Sequence, residues 1–121
     1  MRLVTLEGPV LGGLVGDSVV VLRPALAAAM RAAGEADTAA AVIPDDMVAL
    51  IADEAAMVAA GRALAFAARP ENAGLRAPLA AARLLAPLKP GKILGVGRNY
   101  SDHAKEVGGP KLEAPRIFLK P

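Results

Sequence analysis

The chain has 121 residues, 55% of them apolar and 21% charged; that is the composition of a folded domain of ordinary size, and it excludes a disordered segment. The formal charge is only +2, from 14 basic and 12 acidic residues with no basic cluster and no aromatic interleaving, which argues against nucleic acid as a partner. There is no cysteine, so a disulfide framework, a thiolate nucleophile and a Cys-based zinc site are excluded.

Alanine supplies much of the apolar fraction, and Phe66, Tyr100 and Phe118 are the only aromatic residues. The expected core is therefore modest and built on Leu, Val, Ile and Met. The N-terminus, Met1-Arg2-Leu3-Val4-Thr5-Leu6-Glu7, lacks the apolar run of a signal peptide. No charge-free apolar stretch of about 18 residues is present. Ala55 to Ala68 comes nearest and is interrupted by Arg62. A cytoplasmic protein without a membrane partner is the expectation.

In chain order, Leu3 to Leu6 has strand character and is broken by Gly8-Pro9. Val10 to Val15 and Ser18 to Leu22 are Val-rich runs joined by Gly16-Asp17, the pattern of a tight hairpin. From Pro24 the period turns helical: Pro24 suits the first helical position, Ala25 to Ala33 has high helix propensity, and Gly34 is a stop. Glu35 to Ala41 reads as a frayed turn or loop. Pro44-Asp45-Asp46 opens a second helix or pair of helices, with Met47, Leu50, Ile51, Met57, Leu64 and Ala68 on one face and Gly61 allowing close packing, up to Arg69-Pro70. The acids of Asp45-Asp46 and Asp53-Glu54 read as helix caps on a solvated face.

Glu71 to Gly74 reads as a loop, and Leu79 to Leu85 fits helix or strand equally. The architectural boundary falls between Pro70 and Gly91, dividing the chain into a small α/β domain, residues 1–75, and a second part, residues 76–121. In that second part Lys92 to Val96 is a short strand, Gly97 to Tyr100 a turn, Ser101 to Val107 one or two helical turns, and Arg116 to Lys120 a further strand. Nothing remains in the sequence to pair or cover this last apolar strand, so the chain reads as a fragment or truncated product.

Two motifs carry chemistry. Gly95-Val96-Gly97 stands where a dinucleotide-binding loop would, but Tyr100 replaces the third glycine, and a tight turn off a packed strand explains the small residues better. His103 and Glu106 are three apart, and on a helix they share a face. A carboxylate on one imidazole nitrogen fixes the tautomer and makes the other nitrogen a better base. The plain alternative is a surface histidine beside a solvated glutamate. A zinc site is excluded by the lack of a second His or any Cys.

The frame around His103 separates these readings. The segment Lys92-Ile93-Leu94-Gly95-Val96-Gly97-Arg98-Asn99-Tyr100-Ser101-Asp102-His103-Ala104-Lys105-Glu106-Val107-Gly108, led by Leu84 to Gly91 and followed by Pro115-Arg116-Ile117-Phe118-Leu119-Lys120-Pro121, resembles the fumarylacetoacetate hydrolase family. There a KI…VG-x-NY-x-DH-x-x-E segment opens the catalytic domain and an FxKP strand follows. The resemblance is specific from Leu84 to Pro121 and loose before it. It implies an α+β chain: a small N-terminal antiparallel sheet with Ala-rich helices, then the first strands and lid helix of an incomplete, mainly-β catalytic domain.

The resemblance further implies that His103 and Glu106 are the catalytic dyad. Arg98, Asn99 and Tyr100 match a turn near the substrate, and Lys120 matches the lysine of the second strand. It implies Mg²⁺ or Mn²⁺ in the full-length enzyme, held by an E-x-E pair and a later Asp. Those ligands lie beyond the equivalent of Pro121, and no E-x-E occurs in this sequence, so the chain alone is expected to bind no metal and to be inactive. The implied substrates are small 2-oxo acids or their enols, in C–C hydrolysis, decarboxylation or keto–enol isomerisation, by a homodimer when complete. Two other classes compete: a stand-alone, non-catalytic module docking on a partner β-domain through the Phe118 strand, and a nucleotide-binding half-domain.

Overall fold

Short Val-rich segments punctuated by glycine cannot nucleate helices, and in the computed structural model they form the sheet the alternation demands. The structure describes residues 1–8, 10–97 and 116–120. Strands β1 (Leu3–Leu6), β2 (Val10–Val15) and β3 (Ser18–Val21) make an antiparallel meander. Gly16, at φ +56°, turns the β2–β3 hairpin, as the Gly16-Asp17 pair requires. The fourth strand, β4 (Arg76–Pro78), pairs antiparallel with β3 and completes the order β1-β2-β3-β4. Residues 76–78 therefore extend the first sheet, with Ala77 opposite Val19.

Helix α1 (Leu22–Ala32) begins before Pro24, which falls inside the first turn, where backbone N–H groups have no intrahelical partner. Its end is set by Gly34 at φ +72°. The Glu35 N–H donates to the Met30 carbonyl at 2.9 Å and the Gly34 N–H to the Arg31 carbonyl at 3.1 Å, the paired bonds of a Schellman cap. The stretch expected as frayed loop contains a short helix, α2 (Ala39–Val42). The region after Pro44 is a pair of helices, α3 (Met47–Ala52) and α4 (Glu54–Ala68). Asp46 accepts from the Ala49 N–H at 2.9 Å, and Asp53 accepts from Ala55 and Ala56 at 2.9 and 3.2 Å. These acids are caps, as their placement predicts. Asp53→Ala should cost about 1 kcal/mol, read by denaturant unfolding, and Asp53→Asn much less.

The core lies between the sheet and helices α1 and α4. Leu22, Val20, Ile43 and Leu50 are its largest fully buried side chains. Alanine contributes far more than expected: Ala25 and Ala29 on α1, Ala39 on α2, and Ala56, Ala60, Ala63 and Ala67 on α4 supply nearly half of the buried apolar positions. Spaced four, three and four apart, the α4 alanines form one stripe, and methyl-sized side chains let two helices and a sheet approach closely. Gly61 does not serve this purpose, since a Cβ there would meet nothing within 4 Å. The close approach is made at Gly13 in β2, where a Cβ would fall 2.6 Å from Cδ1 of Leu64.

After β4 the chain passes through a 3₁₀ turn (Leu79–Ala81) and returns to the opposite edge of the sheet. Leu84 bridges Leu6, the Leu85 N–H donates to the Thr5 carbonyl at 2.8 Å, and the Glu7 N–H donates to the Arg83 carbonyl at 3.1 Å. Thr5 Oγ1 donates to the Pro87 carbonyl at 2.8 Å. The open edge of β1 is thus covered by backbone pairing. The segment that fits helix or strand equally by pattern is therefore divided, a 3₁₀ turn and then an edge bridge. The stretch Glu71 to Gly74, expected as loop, lies in 3₁₀ turns over Pro70–Leu75.

One exposed ion pair ties the end of α1 to α4. Both Arg62 guanidinium ends donate to Glu35, at 2.7 and 2.8 Å, and these bonds hold the Glu35 carboxyl below the usual carboxylate range. With the folded carboxyl titrating below the unfolded one, the pair's contribution is present above the ordinary carboxylate range and is lost as pH falls through the lowered value. Arg62→Gln should flatten that acid loss in a Tm-against-pH series, with a small amplitude because both groups are half-exposed.

The chain divides into two compact units, Met1–Leu88 and Lys89–Pro121. Within the second, β5 (Ile93–Gly97) and β6 (Arg116–Lys120) pair antiparallel. The last strand is therefore paired along one edge, contrary to the expectation that it lacks a partner. The two runs are far apart in sequence, so no local signal announces their pairing. The architecture is α+β: a four-stranded antiparallel sheet with helices, and a separate two-stranded sheet.

Candidate functional site

Of the predicted site residues, the structure describes Lys120 alone, in the β5–β6 ladder. Its register runs Ile93↔Lys120, Leu94↔Leu119, Gly95↔Phe118, Val96↔Ile117 and Gly97↔Arg116. Residues 98–115 connect the two strands at the Gly97–Arg116 end, where paired Cα atoms lie about 5 Å apart. This is the segment that contains Arg98, Asn99, Tyr100, His103 and Glu106. All five lie outside the described residues.

Lys120 is described. It is exposed, in β6, opposite Ile93. Four residues separate it from Arg116, so it stands about 13 Å along the ladder from the end at which residues 98–115 connect. The strands therefore put Lys120 and that connection at opposite ends of the hairpin.

Gly95-Val96-Gly97 is strand, not loop or turn. Gly95 lies under the ring of Phe118: a Cβ at Gly95 would overlap Cζ, Cε2 and Cε1 of that ring. A dinucleotide loop needs a parallel β-α-β unit, whereas β5 pairs antiparallel with β6. The smallness of Gly95 answers to an aromatic ring, a cross-strand reason that no local motif could reveal.

Among the described residues, no three His, Cys, Asp or Glu side chains group so as to hold a metal ion. Several acidic residues of the first unit are engaged elsewhere. Asp46 and Asp53 cap helices, Asp45 pairs with Arg23 at 2.6 Å, and Glu35 pairs with Arg62. The described residues thus do not fit a divalent cation. Clefts in the first unit lie beside Arg23, Pro24 and Ile43, and beside Glu7, Arg76 and Arg83. Arg23 is already spent on the Ile43 carbonyl and Asp45, and Arg83 on Glu7. Neither cleft includes a predicted site residue.

Comparison with known proteins finds relatives over part of the chain. The chain is 48% identical over 48 residues to an uncharacterised protein of Archaeoglobus fulgidus, a match covering 40% of this chain and 19% of the relative. It is 50% identical over 52 residues to a protein of Mycobacterium tuberculosis, covering 43% of this chain and 20% of the relative. It is 63% identical over 30 residues to a mitochondrial oxaloacetate tautomerase of Oryza sativa subsp. japonica, covering 25% of this chain and 13% of the relative. Over the matched part, the chain shows homology to fumarylacetoacetate hydrolase-family proteins.

The matched part spans a fifth or less of each of these relatives. No family model matches the chain, and no solved structure matches it. Among the described residues no helix is long and apolar enough to cross a membrane. The resemblance rests on sequence, and the structure adds two paired strands that flank residues 98–115, the stretch that contains His103 and Glu106.

Proposed function

We propose that this chain is the amino-terminal part of a fumarylacetoacetate hydrolase-family enzyme that moves protons on small 2-oxo acids or their enols. The observation that carries the reading is the 63% identity to an oxaloacetate tautomerase, together with the His103-Ala104-Lys105-Glu106 pattern between β5 and β6. Keto–enol exchange removes a proton from the carbon beside the ketone and returns one to oxygen. Within the family's wider chemistry of C–C hydrolysis and decarboxylation, this is the reaction the relative's name favours.

In this proposal His103 is the base. Glu106 accepts from one imidazole nitrogen, and the other nitrogen takes the proton from the carbon beside the carbonyl. The same group then gives a proton to the enolate oxygen, so the overall exchange consumes nothing. Arg98, Asn99, Tyr100 and Lys120 serve substrate binding or the lid. The family's Mg²⁺ or Mn²⁺ belongs to residues outside these 121, and the chain by itself turns over no substrate.

The test is an oxaloacetate tautomerisation assay on the product of the intact gene, with Mg²⁺ supplied, beside the 121-residue chain. Turnover in the former and none in the latter is expected; no turnover in either, with both folded, would sink the proposal. The exposure of Leu94, Ile117 and Leu119, at 69, 68 and 63%, favours a second reading in which the hairpin only docks on a partner β-domain. That reading predicts turnover indifferent to His103.

A further inference from the structure

The β5–β6 hairpin has an unusual problem of register. Strands normally take their register from one buried face, because a one-residue slip turns every side chain over. Here neither face is buried. Leu94, Val96, Ile117 and Leu119 are between 53 and 69% exposed on one face, and on the other Ile93 and Phe118 are 48 and 47% exposed. Burial alone does not choose among registers.

One contact does. Phe118 lies directly opposite Gly95, and its ring occupies the space a side chain at Gly95 would fill. Covering a strand glycine with a cross-strand aromatic ring is a recognised means of pinning register. A one-residue slip moves the ring to the face of Leu94 and Val96. A two-residue slip one way sets it against the branched side chain of Ile93. The opposite slip seats it on Gly97 but removes Ile93 from its pairing with Lys120.

We propose that Gly95 and Phe118 are positioning residues, a register lock that fixes where residues 98–115 leave and rejoin the ladder. This rests on the preceding reading that the segment carries a catalytic pair. A two-residue slip shifts one end of the segment against the other by about 7 Å. Misplacement of a catalytic group by about 1 Å is enough to cost a hundredfold in rate. Neither residue touches substrate; both act through the ladder.

The ring is the free end of a side chain with half its surface in water, so Gly95→Ala displaces the ring without breaking the strand. The test is a double-mutant cycle of Gly95→Ala and Phe118→Leu, with two readouts. The first is amide hydrogen exchange of residues 93–97 and 117–120 in the 121-residue chain. Each single variant should exchange about tenfold faster there, the double variant no faster than either single, and Met1–Leu88 should be unchanged. Losses that add, or protection unchanged in both singles, overturn the lock. The second readout is turnover by the product of the intact gene, where kcat should fall in each single variant while KM holds. A cycle that couples in exchange but leaves kcat untouched supports the lock and removes the catalytic reading of residues 98–115.

Discussion

Gly13→Val is expected to destabilise the Met1–Leu88 unit by about 1–3 kcal/mol, through overpacking rather than through loss of any contact. The new Cβ would fall 2.6 and 2.8 Å from the two Cδ atoms of Leu64 and 3.2 Å from its Cγ. Leu64 is 8% exposed and belongs to the core cluster, so it cannot swing into water. Either α4 lifts from the sheet or Leu64 leaves its rotamer, and both disturb the alanine stripe behind it. Gly61→Ala is the matched control. It is a helical glycine whose Cβ would meet nothing within 4 Å, and alanine there should stabilise by roughly 0.5–1 kcal/mol. Urea unfolding of both variants, followed by far-UV circular dichroism, measures the pair. Equal effects of the two substitutions would show that Leu64 does not rest on Gly13.

His103→Ala, in the product of the intact gene, is expected to lower kcat by about 10²–10⁴-fold, the usual worth of a positioned acid–base group. Glu106→Gln should cost less, because the amide still holds the imidazole but no longer stabilises its charged form. His103 is the sole histidine of these 121 residues, so in the chain itself its imidazole can be titrated by NMR without ambiguity. A neighbouring carboxylate raises the imidazole's affinity for protons. The His103 midpoint should therefore drop in Glu106→Gln, while Tm stays put. Wild-type turnover in His103→Ala, or a midpoint indifferent to Glu106, would remove the dyad.

The two expectations draw on different parts of the molecule, and their legibility in sequence differs accordingly. The hairpin at Gly16-Asp17, the stop at Gly34 and the caps at Asp46 and Asp53 are local devices. Each depends on one or two residues and their own backbone, so the order of side chains announces them. The His103 and Glu106 spacing is legible in the same way, and its meaning came from the frame of residues around it.

Contacts between distant segments were not legible. Arg76–Pro78 is too short and too proline-bound to read as strand, yet it pairs with β3 because that edge was open. Leu84 and Leu85 close the far edge of β1 for the same reason. Alanine carries almost half of the core because α1 and α4 approach closely along the alanine stripe. Gly13 and Gly95 look alike in sequence, but one seats Leu64 and the other seats Phe118. Composition, caps and turns were determined by the sequence alone, because their energetics are local. Which edge is filled and which glycine faces a packed side chain were decided only by the tertiary structure, because they depend on which distant surfaces meet.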